Sequence, residues 1–222
     1  MIKAVIFDMY ETLITHYNCP LYFSEEMAKD AGVPIETFRA SWRSTEHERS
    51  IGIVTVDEVV KNILVENQCY SEEKLDIIMS KRIETKEECF RHLHPDIVPM
   101  LNELKEKNIK IGLISNCFSE EAKVIRESVL FPYFDVVCLS YELGMEKPDE
   151  RIFRKCMEAL DVSPRECLYV GDGGSSELEA ARHLGMNATQ AVWYLQEKAA
   201  NVIKRKPDFR QLESPLAVVE IS

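Results

Sequence analysis

No apolar run in this sequence approaches the roughly 20 residues needed to cross a bilayer, so a membrane-spanning helix is not expected. Positive charge is scarce: Lys plus Arg total 27 against 38 for Asp plus Glu, a formal net charge of −11. That balance disfavours non-specific binding to nucleic acid or to an anionic membrane, whose phosphates the chain repels. It does not exclude a small phosphorylated substrate, which needs only one local positive pocket. The seven cysteines are odd in number and include no C-x-x-C pair, so neither a disulfide framework nor structural zinc is expected. Met1 to Ile6 lacks a signal-type apolar stretch because Asp8 interrupts it, and the chain reads as a reduced, cytoplasmic protein. Repeats, low-complexity tracts and a heptad seam are also missing. The last absence argues against a coiled-coil dimer and leaves the oligomeric state open.

What is present is an ordinary globular mix, 45% apolar and 29% charged over 222 residues. Lys3 to Phe7, Lys110 to Ile114, Val136 to Leu139 and Cys167 to Val170 are short, β-rich apolar runs. They are too continuous for strands with one wet face, which points to a sheet covered on both sides. Helical patterns lie between them: Asp96 to Lys107, Ser119 to Ser128, Asp149 to Leu160 and Ser176 to Leu184. Strand alternating with helix predicts an α/β fold with a doubly wound parallel sheet. One segment breaks the rhythm. Residues 15–94 show no strand and four helical stretches near 20–31, 35–51, 55–68 and 71–91. The expected division is therefore an α/β core of residues 1–14 and 95–222 and an inserted all-α domain of residues 15–94. The tail beyond about residue 204 is expected to hold a short final element.

Ligands of open parallel sheets bind at the carboxyl ends of the strands. The first run leads into Asp8-Met9-Tyr10-Glu11-Thr12, the second into Ser115-Asn116, and the fourth into Gly171-Asp172, with Glu177 five residues on. Lys147-Pro148 follows the third. Two carboxylates, a hydroxyl, an amide and a lysine would gather on one edge, a set suited to phosphoryl or related group transfer. A carboxylate can act as nucleophile. Two adjacent Asp side chains repel unless a hard cation lies between them, and Mg²⁺ takes such oxygen ligands. Ser115 and Lys147 could hold the remaining oxygens of the transferring group.

These motifs, in this order and spacing along nearly the whole chain, resemble the haloacid dehalogenase-like hydrolase superfamily, which is mostly phosphatases. Phe7 to Leu13 is similar to its first motif, Ile114-Ser115-Asn116 to its second, Lys147-Pro148 to its third and Val170 to Glu177 to its fourth. The helical insert resembles that superfamily's first type of cap. The resemblance implies a Rossmann-like core and Asp8 as nucleophile. It further implies Mg²⁺ held by Asp8, the Tyr10 carbonyl and Asp172, with Glu177 supporting the site through water. Ser115 and Lys147 would bind the transferring group.

Two departures pull in opposite directions. The residue two after the nucleophile is usually a second Asp, the general acid and base of the phosphatases; here it is Tyr10. Loss of such a group costs a factor of about 10² to 10⁴ in rate. Asp-x-Tyr with Ser115-Asn116 resembles the 2-haloacid dehalogenase branch, where halide leaves from carbon and no leaving-group proton is needed. That branch has Ser-Ser-Asn at the fourth motif and no metal, whereas this chain keeps Asp172. The expected function is a Mg²⁺-dependent phosphohydrolase of a small phosphorylated metabolite. A 2-haloacid dehalogenase and a non-catalytic binding protein are the alternatives. Catalytic candidates are thus Asp8, Tyr10, Ser115 and Lys147. Candidate substrate contacts are Thr12, which reads equally as a hydrogen-bonder within its loop, Asn116, and Arg43 and Arg49 on the insert.

Overall fold

The computed structural model describes residues 1–195 and 204–222. Strand β1 (Ala4–Phe7) leads into five consecutive helices: α1 (Ser24–Ala31), α2 (Ile35–Ser44), α3 (Glu46–Ser50), α4 (Val56–Glu66) and α5 (Glu72–Arg91). Helix and strand then alternate through α6 (Ile97–Glu106), β2 (Lys110–Ser115), α7 (Ser119–Glu127), β3 (Val136–Leu139) and the short α8 (Ser140–Leu143). The chain continues through α9 (Glu150–Leu160), β4 (Cys167–Gly171), α10 (Glu177–His183) and β5 (Asn187–Ala191) to β6 (Arg210–Leu212) and α11 (Ala217–Ile221).

The six strands form one parallel sheet in the order β3-β2-β1-β4-β5-β6. Successive residues of β1 face opposite sides, as the period of a strand requires. Val5 and Phe7 pack with Leu101 and Leu104 of α6 and Ile125 of α7. Ala4 and Ile6 pack with Phe153 and Cys156 of α9 and Leu178 of α10. Helices thus cover both faces, as the continuous apolar runs imply. The connections run from β1 to β2 and β3 on one side, then return to β4, β5 and β6 on the other. The strand order therefore reverses between β1 and β4, and the crevice beyond their carboxyl ends is where such sheets bind ligands.

The insert has a core of its own, built from Met27 and Ala31 of α1, Phe38 of α2, Val60 and Ile63 of α4 and Ile78 of α5. The helical pattern of residues 35–51 is two helices rather than one. Thr45 (φ −109°, ψ 11°) leaves helical geometry and ends α2 as it begins α3. Thr55 caps α4 by accepting from the Glu58 N–H at 3.4 Å, while the Glu58 carboxylate accepts from the Thr55 N–H at 2.8 Å. Helix α5 belongs to both units. Ile78 lies in the insert's core, while Cys89 and Phe90 join the cluster on the sheet. No helix among the described residues is long and apolar enough to cross a membrane.

Between those ends α5 carries two buried cations. The Arg82 guanidinium donates to Glu120 at 2.5 Å and lies 3.6 Å from Glu121 on α7. Lys86 lies 2.8 Å from Glu121, and all four side chains are under 9% exposed. Burial alone would drive such charges out, so each holds its place only because its partners are present. Glu121 is lowered to about 2: burial opposes its charge, and Lys86 and Arg82 overcome it. Arg82→Met would leave Glu120 buried without its cation and is expected to cost about 3–5 kcal/mol in urea denaturation. A loss under about 1 kcal/mol, the range of exposed pairs, would contradict this.

Candidate active site

The register of β1 against β4 pairs Phe7 with Val170. The next residues, Asp8 and then Gly171-Asp172, therefore leave the sheet side by side, and the Asp8 N–H still donates to the Val170 carbonyl at 2.9 Å. Asp8, Asp172 and Glu177 are all buried, and one ligand oxygen from each lies within 4.8 Å of the others. Lys147 joins them from the loop after α8. Its ammonium donates to both Asp8 and Glu177 and lies 3.4 Å from the Tyr169 hydroxyl.

Two devices hold this cluster. Asn116, at the end of β2, clamps Lys147: its amide donates to the Lys147 carbonyl at 2.9 Å and accepts from the Lys147 N–H at 2.8 Å. Glu177, at the start of α10, accepts from the Tyr169 hydroxyl at 2.8 Å and the Gly173 N–H at 3.2 Å. It can do so only because residue 171 is glycine; a Cβ there would stand 2.0 Å from the Glu177 carboxylate. Asp172 accepts from the Gly174 N–H at 2.8 Å, and Gln190 donates to its carbonyl at 2.8 Å.

Three carboxylates share one ammonium. Burial, and then the Glu177 charge, push Asp8 up to about 7 and Asp172 up to about 9. Lys147 is raised above its ordinary value because Asp8 and Glu177 outweigh its burial. A hard divalent cation would relieve the remaining repulsion, and an all-oxygen donor set of this kind suits Mg²⁺. Asp8 and Asp172 are the carboxylates placed to hold it. Glu177 is already engaged by three donors, which fits a supporting role.

The other candidates fall in several places. Ser115 is fully buried, its hydroxyl 3.4 Å from the Asn116 carbonyl. Tyr10 lines a 260 Å³ cavity with Asp8, Lys147, Asp172 and Glu177. Its ring stacks on His16 at 4.6 Å, and its buried hydroxyl makes no hydrogen bond. Burial, and then Glu121, raise that phenol well above its ordinary value, which makes it a poorer acid still. Thr12 is fully buried, its hydroxyl unpartnered, and it lines neither this cavity nor the larger one beside it; its carbonyl accepts from Trp193 at 2.8 Å. Arg43 lines that larger cavity, 680 Å³, with Asn116 and Lys147.

Arg49 does not line it. Its guanidinium is buried 3.5 Å over the Trp42 ring and 4.5 Å over Phe118, with Nε and Nη2 unpartnered. Burial and the neighbouring Arg82 lower it to about 10. Arg49 is thus an aromatic-stacked interior side chain that lines neither cavity.

Sequence reading missed two groups. Tyr169 looked like one more apolar strand residue, and no local signal marks its hydroxyl. His16 lines the Asp8 cavity; its Nδ1 lies 3.0 Å from Glu11 and its Nε2 2.7 Å from Lys86. Burial and Lys86 lower it, so the neutral ring donates to Glu11 and accepts from Lys86.

A model of the haloacid dehalogenase-like hydrolases matches residues 2–185. The chain belongs to that hydrolase family. It is 34% identical over 117 residues to the rhythmically expressed gene 2 protein of Drosophila melanogaster, and spans 45% of that relative's length. It is 27% identical to the glyceraldehyde 3-phosphate phosphatase of Methanopyrus kandleri, over 84% of this chain and 82% of that one. Among solved structures, a 2-haloacid dehalogenase from Pseudomonas syringae superposes with a TM-score of 0.68 at 23% identity, covering 100% of this chain and 98% of that one. A family enzyme of Bacteroides thetaiotaomicron, solved with magnesium and inorganic phosphate, gives 0.66 at 19% identity, covering 86% and 94%. Both kinds of enzyme share the fold, so the fold does not choose between them.

The raised carboxylates set a pH dependence. Folded Asp8 and Asp172 keep protons that the unfolded chain releases near its ordinary carboxylate value of about 4. Their contribution to stability is complete below that pH and is lost as pH rises through about 7 and about 9. Chelator-treated protein is therefore expected to melt progressively lower between about pH 5 and pH 9. Mg²⁺ should raise the melting temperature most at the alkaline end, and Asp172→Asn should flatten both effects. Equal melting across the range in scanning fluorimetry would contradict the coupling.

Proposed function

We propose that this hydrolase is a Mg²⁺-dependent phosphatase of a small phosphorylated metabolite, working through an aspartyl-phosphate at Asp8. The observation that carries the reading is Asp172, a second buried carboxylate beside the nucleophile. Beside Asp8 it offers a hard cation a second oxygen ligand, which a metal-free displacement at carbon does not need. Asp8 and Asp172, with the Tyr10 carbonyl, would hold Mg²⁺, which supplies charge neutralisation for the phosphoryl oxygens.

The chain's own residues do the rest. Lys147 opposes the rise that burial and Glu177 impose on Asp8, and it presents a positive charge to the incoming phosphoryl oxygens. Asn116 fixes Lys147, and Ser115 stays buried behind it, lining neither cavity. The Asp8 oxygen bonds to phosphorus as the ester oxygen departs; water then attacks phosphorus and restores Asp8. The 260 Å³ cavity takes the phosphoryl group, and the adjoining 680 Å³ cavity, which shares Asn116, Lys147 and Ser175, takes the leaving group. In this reading residues 15–94 are a cap over a core of 1–14 and 95–222, and closure excludes water from the first step.

Tyr10 favours one other reading, a 2-haloacid dehalogenase, because it replaces the customary proton donor. Phosphate release from para-nitrophenyl phosphate separates the two. Mg²⁺-dependent release that chelator abolishes, and that Asp8→Asn lowers by about 10³-fold or more, is expected. Halide release from 2-chloropropionate in chelator, with no phosphate release, would replace the proposal by the dehalogenase.

A further inference from the structure

The phosphatase reading leaves the leaving-group proton without a donor. Tyr10 sits where a second Asp would stand, and its phenol is buried, unpartnered and raised in pKa. His16 is near, but both of its ring nitrogens are engaged, by Glu11 and by Lys86. The donor must come from elsewhere on the cavity walls.

The charged groups lining the larger cavity are Arg43, Glu46, His47, Glu121, Glu146 and Lys147. Lys147 is tied to Asp8 and Glu177, and Glu121 to Lys86. An arginine does not release its proton, and Glu46 makes no hydrogen bond that would hold it toward the core. His47 differs. Its Nδ1 lies 2.6 Å from the Glu146 carboxylate, across the gap between α3 and the loop that carries Lys147. Its Nε2 makes no protein hydrogen bond. Glu146 thus fixes the ring's tautomer and orientation, leaving Nε2 for an outside partner.

This pairing is built into the docking of α3 on the core. The Ser50 hydroxyl lies 3.2 Å from that of Ser140. Gly52, at φ +73°, lets the chain run so close to α8 that a Cβ would stand 2.2 Å from the Tyr141 carbonyl. These two contacts set α3 against α8, and with it His47 against Glu146.

We infer that His47, oriented by Glu146, is the general acid that protonates the leaving group at this site. The inference rests on the phosphatase reading. In the first step the Asp8–phosphorus bond forms and the phosphorus–oxygen ester bond breaks, its electron pair staying on the ester oxygen. The proton on Nε2 passes to that oxygen, and the alcohol leaves. In the second step water attacks phosphorus, the Asp8–phosphorus bond breaks with its electron pair returning to Asp8, and the water's protons leave with phosphate and solvent; the neutral ring regains its proton from solvent. Because the acid stands on the insert, proton delivery exists only while α3 is docked.

The test is the dependence of rate on the leaving group, measured with Mg²⁺ for wild type, His47→Gln and Glu146→Gln. Para-nitrophenyl phosphate needs little protonation; a panel of primary alkyl phosphates needs a full proton. His47→Gln should lower kcat on the alkyl substrates by about 10²-fold or more while changing para-nitrophenyl phosphate by less than about threefold. KM should hold for both, and Glu146→Gln should show the same pattern more weakly. Equal losses on both substrate types would make His47–Glu146 a latch and overturn the inference, as would no loss on either. Wild-type activity on the aryl ester with none on any alkyl ester would leave the phosphatase standing and remove the acid. Absence of phosphate release from every substrate would remove both.

Discussion

Three buried carboxylates around one ammonium are the constraint on which the rest of this structure turns. Water would disperse them; the fold holds their oxygens within 4.8 Å. The adjacency of β1 and β4 brings in Asp8 and Asp172, and α10 brings in Glu177. Gly171 leaves room for Glu177, Tyr169 donates to it, and the Asn116 clamp sets the reach of Lys147. None of these groups is stable alone at such burial. Replacing Glu177 or Lys147 therefore changes the charge states of Asp8 and Asp172, which titrate together.

A second set of buried charges governs where the insert sits. Arg82 and Lys86 of α5 meet Glu120 and Glu121 of α7, so the longest helix of the insert is fastened to the sheet side by ion pairs. The two sets meet at the loop after Asp8. Lys86 reaches His16, His16 reaches Glu11 and stacks on Tyr10, and Glu11 sits at φ 57° in the turn that follows Asp8. The loop after Asp8 is thus braced from the insert.

The core and the catalytic edge were legible because their signals are local. Three of the runs end in a polar residue that the sheet presents: Asp8, Ser115 and Asp172 arrive where strand ends put them, and Lys147 reaches them from the loop after α8. β5 escaped because Asn187–Ala191 is polar in composition; its burial comes from lying beside β4. The break between α2 and α3 escaped because Thr45 carries no Gly or Pro. Arg82 and Lys86 escaped for a different reason. A charge in a helix pattern marks a wet face unless its partner, here on α7, is known to face it. The stacking of Arg49 on Trp42 likewise has no local signal in the sequence.

Phosphatases and dehalogenases share this fold, and the choice between them rests on what Asp8 carries midway through turnover. Mass spectrometry of protein mixed with acetyl phosphate and Mg²⁺, then quenched in acid, reads that directly. The account expects one phosphoryl group on the peptide bearing Asp8, absent from Asp8→Asn. An unmodified Asp8 peptide while phosphate is being released, or a phosphoryl group on another residue, would contradict it.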